Sequence, residues 1–350
     1  SGVWDLGTSV GRGLAELAEA ISGDVVFANL ECSTEVGGRH IAKQPRILAR
    51  PETIRTALGA LRVNVVTLAN NHVFDGEIDG FRAVRKLLDE SRIGYFGAGE
   101  SLDEAARPYI LEVAGIRIGF LGFVAASTQP SHVATPTGPG VNTLAGPRDE
   151  DRARDAVIAL QKSVDHVVVS LHWGVEYCPL PAPDQIVFAR SLVDAGAAII
   201  IGHHAHVIQG TERYGSGLIA YGLGNATTTD HYIDGRRAVR QSARTSSSCA
   251  LRVTLDASGL AGFDLVPLRC VGARVKVNDE RARRYLEAAN RSLARGVSPA
   301  RWRRVRFYED VVLRTLRKLH PSVIRSVRPR HVGKFFENVV RAAAGRGPAP

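Results

Sequence analysis

Three histidines occupy four consecutive positions in "IGHHAHVIQG" (residues 201–210), behind an apolar run and a glycine. Imidazole nitrogen is a donor for zinc, manganese or iron, and two imidazoles at spacing two, His204 and His206, can project from a turn toward one point. Three more apolar runs end on polar residues. Glu31 follows Leu30 in "ANLE", Asn70, Asn71 and His72 follow Ala69 in "LANNH", and His172 follows Leu171 in "LHWG". Carboxylate and amide oxygens complete the donor types a divalent metal takes. A single polar residue at a strand end is more often a hydrogen-bonded structural residue. Four such clusters, once buried, each need a partner, and a shared metal supplies it.

Strands must deliver these residues to one place. Residues 24–30, 63–69, 117–123, 166–171, 197–202 and 218–224 read as buried strands, and 51–61, 80–91, 147–162 and 183–195 as helices, several with Pro near the start. That alternation predicts an α/β fold, in which ligands collect outside the carboxyl ends of the strands. "SSSCALRVTLD" and "GLAGFDLVPLRC" then read as an antiparallel pair, so the sheets are expected to be mixed.

Composition sets the bounds. A chain of 350 residues, 45% apolar and 23% charged, suffices for one large domain with an appendage. No window reaches the roughly 18–20 apolar residues of a membrane-spanning helix, and the first residues lack a secretory pattern, which reads as a cytoplasmic chain. Cys32, Cys178, Cys249 and Cys270 form no C-x-x-C pair and read as buried free thiols. The net charge of +10 is uneven: residues 279–350 hold 18 Lys or Arg against 6 Asp or Glu, and residues 1–278 hold 27 against 29. The expected organisation is a catalytic domain over 1–278 and a basic, mainly helical extension over 279–350. In that extension Trp302, Val305, Tyr308, Val312, Leu316 and Leu319 recur at helical spacing, a stripe with arginines largely off it. It reads as a solvated basic face or as a dock for a polyanion or partner protein; no base-reading motif favours nucleic acid.

The runs "DVVFANLE", "VNVVTLANNHVFD", "GAGESLDEAARPYILEVAGIRIGFLGF", "VVVSLHWGVEY" and "IIIGHHAHVIQG", followed by "GLGN", closely resemble the bacterial poly-γ-glutamate capsule-synthesis (CapA-like) family, a branch of the calcineurin-like metallophosphoesterases. The match covers residues 5–270, in order, and stops before the basic end. It implies a four-layer α/β/β/α sandwich of two mixed sheets, with a centre for one or two divalent ions (Mn, Fe or Zn) at their edge. Carried over, Glu31 stands where the superfamily has a metal-bridging Asp, Asn71 is a ligand, His72 is the catalytic imidazole, and His172, His204 and His206 complete the ligands. His203 falls to a supporting or substrate-side role. The superfamily's opening Asp-x-His is incomplete: Asp5 in "WDLG" is its only counterpart, with Gly7 where the His belongs. The expectation is therefore one tight ion at Glu31, Asn71, His172 and His204, and a weaker one near Asp5, Glu31 and His206.

A metal brings the pKa of bound water toward about 7, supplying hydroxide at neutral pH. His72 then serves as general acid, and Asp75, three residues on, either orients its imidazole or caps the local turn. Lys43 and Arg46 offer cationic heads to an anion or lie on a solvated loop. Glu176 and Tyr177 flank the site by the resemblance, and Asn225 in "GLGN" is a further substrate-side candidate. The leading expectation is a phosphoester hydrolase. A γ-glutamyl amide reaction and a non-catalytic scaffold in capsule-polymer assembly are the alternatives.

Overall fold

The computed structural model describes residues 3–4, 13–43, 45–227, 231–233, 236–239, 241–272 and 274–309. Asp5 lies outside these residues, as do Val312, Leu316 and Leu319.

Strand faces alternate, and the alternation sorts the apolar residues into layers. Val66 and Leu68 turn outward to a core with Ile54 and Leu58 of helix Pro51–Ala60 and Phe81, Val84, Leu87 and Leu88 of helix Glu77–Glu90. Val65, one residue earlier, turns inward to meet Phe96, Phe120, Val168, Ile199 and Ile201. From the far side, Val167, Val169, Leu171 and Ile200 face Ala153 and Val157 of helix Pro147–Leu160 and Phe188, Ala189 and Leu192 of helix Pro183–Asp194. The result is the four-layer α/β/β/α sandwich: helices, sheet, sheet, helices.

The smaller sheet is parallel, in the order Phe27–Asn29, Val65–Thr67, Gly94–Phe96. The larger is mixed. Ile116–Ala125, His166–His172, Ile199–His203 and Gly217–Ala220 run parallel side by side, while Tyr109–Val113 and Thr211–Tyr214 add antiparallel edges. The expected antiparallel pair is Ser247–Asp256 with Gly259–Val271, extended by Arg274–Val277. It adds Leu251, Val253 and Leu255 to the layer between the sheets.

Pro at the first helical turn, after an extended residue, starts three of the four outer helices: Pro51, Pro147 and Pro183. Helix Glu280–Ala294, within the basic segment, buries Leu286 and Ala289 against Ile208 and Cys249, and Leu293 joins the outer core beside helix Pro183–Asp194. No helix among the described residues is long and apolar enough to cross a membrane. None of the four cysteines forms a disulfide with another, and three of them are buried.

Candidate metal centre

The parallel strands all end at one rim, and the polar residues that follow them meet there. His172 is the last residue of its strand, paired across the ladder with His203, so the histidine turn begins beside it. Gly202 is required at that point. A Cβ there would lie 2.0 Å from the Tyr221 carbonyl oxygen, which also accepts from the Trp173 indole at 3.2 Å. Beyond the strand, His204 (φ 82°) and His206 (φ 55°) both adopt left-handed backbone. Such conformations cost of order 1–3 kcal/mol each for a side-chain-bearing residue and persist only where the surroundings impose them.

Glu31, His172 and His204 bring one donor atom each within 4.8 Å of one another, and so do Glu176, His204 and His206. His172 Nε2 lies 3.0 Å from Asn71 Oδ1 and 3.6 Å from Glu31 Oε1. The same Glu31 oxygen is 3.8 Å from His206 Nε2. Donors sharing a cation at 2.0–2.2 Å stand about 3.3–3.6 Å apart in tetrahedral geometry, so these separations suit a common ion. Glu31 Oε1, His172 Nδ1 and His204 Nδ1 are buried without a hydrogen-bond partner among the described residues. An orphaned buried carboxylate oxygen costs several kcal/mol unless a cation answers it. The residues therefore fit a divalent metal.

Burial and neighbouring rings favour the neutral form of His172 and His204, the form that donates to a metal. Burial, then the rings of His204, His203, His206 and His72, hold His172 well below the usual histidine range. His204 is pushed down to about 3, by burial first and then by His206, His72 and Lys43.

His72 is buried beside this cluster. Its Nδ1 lies 2.6 Å from Asp75 Oδ2, and that carboxylate oxygen also accepts from Ile47 N at 2.7 Å. Lys43 donates from Nζ to the Asn71 carbonyl at 2.7 Å; burial lowers its pKa, opposed by the carboxylates of Asp75, Glu31 and Glu176. Arg46 is turned instead to its own loop, donating to the Ile41 carbonyl at 3.3 Å and lying 3.0 Å from His40 Nδ1. His206 Nδ1 is 2.9 Å from Asn225 Oδ1, and the Tyr177 ring lies 6.1 Å from the His206 ring. His203 points away from the cluster, into the layer between the sheets, with its ring 6.0 Å from that of Phe27. Burial pushes it down to about 4.

Three positioning residues received no role from the sequence, although Asn70 stands in the "LANNH" cluster. Asn29 donates to Glu31 Oε2 at 3.0 Å, and Asn70 donates to Asn29 Oδ1 at 3.1 Å and to the Leu30 carbonyl at 2.9 Å. Asn70 Oδ1 then accepts from the His72 backbone at 3.1 Å, and the Thr128 carbonyl takes the Asn71 amide at 3.1 Å. The doubled Asn of "ANNH" was the available signal for Asn70; nothing local marks Asn29 or Thr128.

A family model described as bacterial capsule synthesis protein PGA_cap matches residues 6–229. The chain is 34% identical over 229 residues to the capsule biosynthesis protein CapA of Bacillus anthracis, covering 65% of this chain and 52% of that one. It is 32% identical over 273 residues to a probable polyglutamine synthesis accessory protein of Mycobacterium tuberculosis (strain CDC 1551 / Oshkosh), covering 76% and 71%. Among solved structures it is similar to a hypothetical protein from Thermus thermophilus, with 18% identity, a TM-score of 0.47, and 79% and 96% of the two chains covered. The chain thus spans about half, 52%, of the Bacillus anthracis relative.

Proposed function

The chain belongs to the bacterial capsule synthesis protein PGA_cap family, and from that premise we propose that it is a metal-dependent hydrolase acting on an anionic substrate, with a phosphoester as the leading class. The observation that carries this reading is the convergence of Glu31, Asn71, His172 and His204 on one orphaned carboxylate oxygen, with the His72–Asp75 pair alongside.

Glu31, Asn71, His172 and His204 would hold the ion. When bound, a divalent cation supplies an acidified water and charge stabilisation for oxygens that become anionic. The remaining work falls to the chain. His72 holds a proton at the ring nitrogen opposite Asp75 and gives it to the leaving oxygen. Asp75 accepts from Nδ1, orients the ring and balances the charge of the imidazolium that carries both protons, and the Ile47 backbone amide holds Asp75 in turn. The Lys43 ammonium, anchored on the Asn71 carbonyl, offers an anion a fixed positive charge beside three carboxylates. Tyr177 and Asn225 border the approach.

The names of the two relatives concern capsule biosynthesis and polyglutamine synthesis, which favours a second reading: hydrolysis or transfer at a γ-glutamyl amide on the same residues. Incubating the manganese-loaded protein with an aryl phosphate and with poly-γ-glutamate separates the two. Phenolate release supports the phosphoester, shortened polymer supports the amide, and neither product from a protein that retains metal refutes hydrolysis in favour of a scaffold role.

A further inference from the structure

Two strand edges meet one cavity. A space of about 1730 Å³ beside the sheets is lined by every residue from Asp24 to Cys32 and by every residue from Cys249 to Leu255. A strand that presented a face would contribute alternate residues, whereas an unbroken run is contributed by an edge. Phe27–Asn29 and Ser247–Asp256 are both terminal strands of their sheets, each hydrogen-bonded to a neighbouring strand on one side only. We propose that the cavity is a slot for an extended polypeptide strand of a partner protein, apolar on both faces, which pairs with the two edges at once.

The backbone groups on offer follow from the alternation of each ladder. The Val26 carbonyl accepts from Asn64 N at 2.9 Å, and Leu30 N donates to the Thr67 carbonyl at 3.2 Å, so the even positions serve the neighbouring strand. Phe27 and Asn29 therefore turn N–H and C=O to the open side. Cys249 stands opposite Pro267, which has no N–H, and gives its own N–H to the Leu223 carbonyl at 2.8 Å, away from the ladder. Leu251 and Val253 follow at alternate positions and point their amides the same way, toward the cavity.

Side chains define what can enter. The inner wall carries Phe120, Val168 and Ile201, and the outer wall Leu17, Ile21 and Leu61. A polycarboxylate would bury unpaired charge between these walls, and a hydrocarbon chain would leave the amides of both edges without partners. A polypeptide strand with apolar side chains on both faces satisfies walls and edges together. His203 adds a polar contact, because its Nε2 is buried without a partner among the described residues and its ring lines the same space. The strand comes from another protein. Every strand among the described residues already belongs to a sheet, in this chain and equally in a second copy, and the rest of the sequence has no run of more than three apolar residues.

The test is amide hydrogen exchange of the full chain, read by NMR, with a lysine-flanked peptide of about five alternating valines and isoleucines, the usual strand length. The expected result is exchange roughly tenfold slower at Phe27, Asn29, Leu251 and Val253 when the peptide is present. The same peptide N-methylated along its backbone should give no protection. Val253→Pro removes a donor of the open edge and none of the ladder, so it should melt close to wild type and weaken peptide binding roughly tenfold. Should that variant melt early, the N-methylated peptide alone decides. Absence of protection in the wild type would overturn the proposal. So would protection that survives N-methylation or that decyl phosphate reproduces, either of which makes the cavity a site for apolar chains. A stable Val253→Pro chain that binds the peptide as tightly as wild type would likewise refute pairing at that edge.

Discussion

His72 and His204 are buried close enough to influence each other's charge yet are built for different work, and their replacements separate the roles. His72 is tied to Asp75 through Nδ1, so His72→Asn should retain bound metal while kcat falls by roughly 10²- to 10⁴-fold, the usual contribution of positioned proton transfer. Loss of metal from that variant would make His72 a ligand. His204→Ala should strip the metal, because its ring belongs to both donor clusters. His203→Ala should keep it and lose stability instead, since that ring fills space beside Phe27 between the sheets. Metal content and melting temperature of the two alanine variants, measured side by side, decide the matter; metal loss from His203→Ala alone would shift the ligand register by one residue.

The histidine turn depends on the element beneath it. Gly202→Ala places a methyl 2.0 Å from the Tyr221 carbonyl and 2.6 Å from the Trp173 indole nitrogen, both fixed in the core, so the strand end must move. The expected outcome is weakened metal binding together with a lower melting temperature; a variant that binds and melts as wild type would show that the strand end is free to adjust. A second element-level test concerns helix Glu280–Ala294. Asp279 caps it by accepting from Arg281 N at 3.0 Å and Ala282 N at 3.1 Å, and it pairs with Arg269 at 2.8 Å. Burial alone would raise the Asp279 pKa, but hydrogen bonds from Arg269 and these backbone amides hold it below the usual 3.8. A lowered carboxylate pKa contributes stability above its unfolded value and loses it as pH falls through the folded one. Asp279→Ala should therefore cost about 1–2 kcal/mol at neutral pH, and Asp279→Asn, which keeps the cap oxygen, less. Denaturant melts of the pair check this.

The molecule as a whole is a sandwich whose rim concentrates uncompensated charge, so metal and stability should be coupled. A ligand that binds only the folded state stabilises it by about 4 kcal/mol at a thousandfold excess over Kd. Chelation should therefore lower the melting temperature measurably and manganese restore it; a melt indifferent to both would count against the site. The basic segment contributes to the same body. Thr211 N donates to Asn290 Oδ1 at 2.9 Å, and Leu286, Ala289 and Leu293 are buried against the sandwich. Ending the chain after residue 278 should consequently destabilise the whole protein, whereas an unchanged melting curve would mark an independent unit.

The layers and the cluster of donors were legible in the chain, because strand and helix periodicities are local and because four polar clusters, each directly after an apolar run, need partners once buried. "LANNH", "LHWG" and "GHHAH" thus announced a common rim before any distance was known. What each donor faces was not legible. The left-handed turns at His204 and His206, the burial of His203 against Phe27 and the approach of Glu176 to His206 depend on contacts between segments distant in sequence. Asn29 and Thr128 acquire their positioning roles only when strands 40 or more residues apart pair or pack. Spacing along a chain lists the donors; the pairing of its strands determines which of them share an ion.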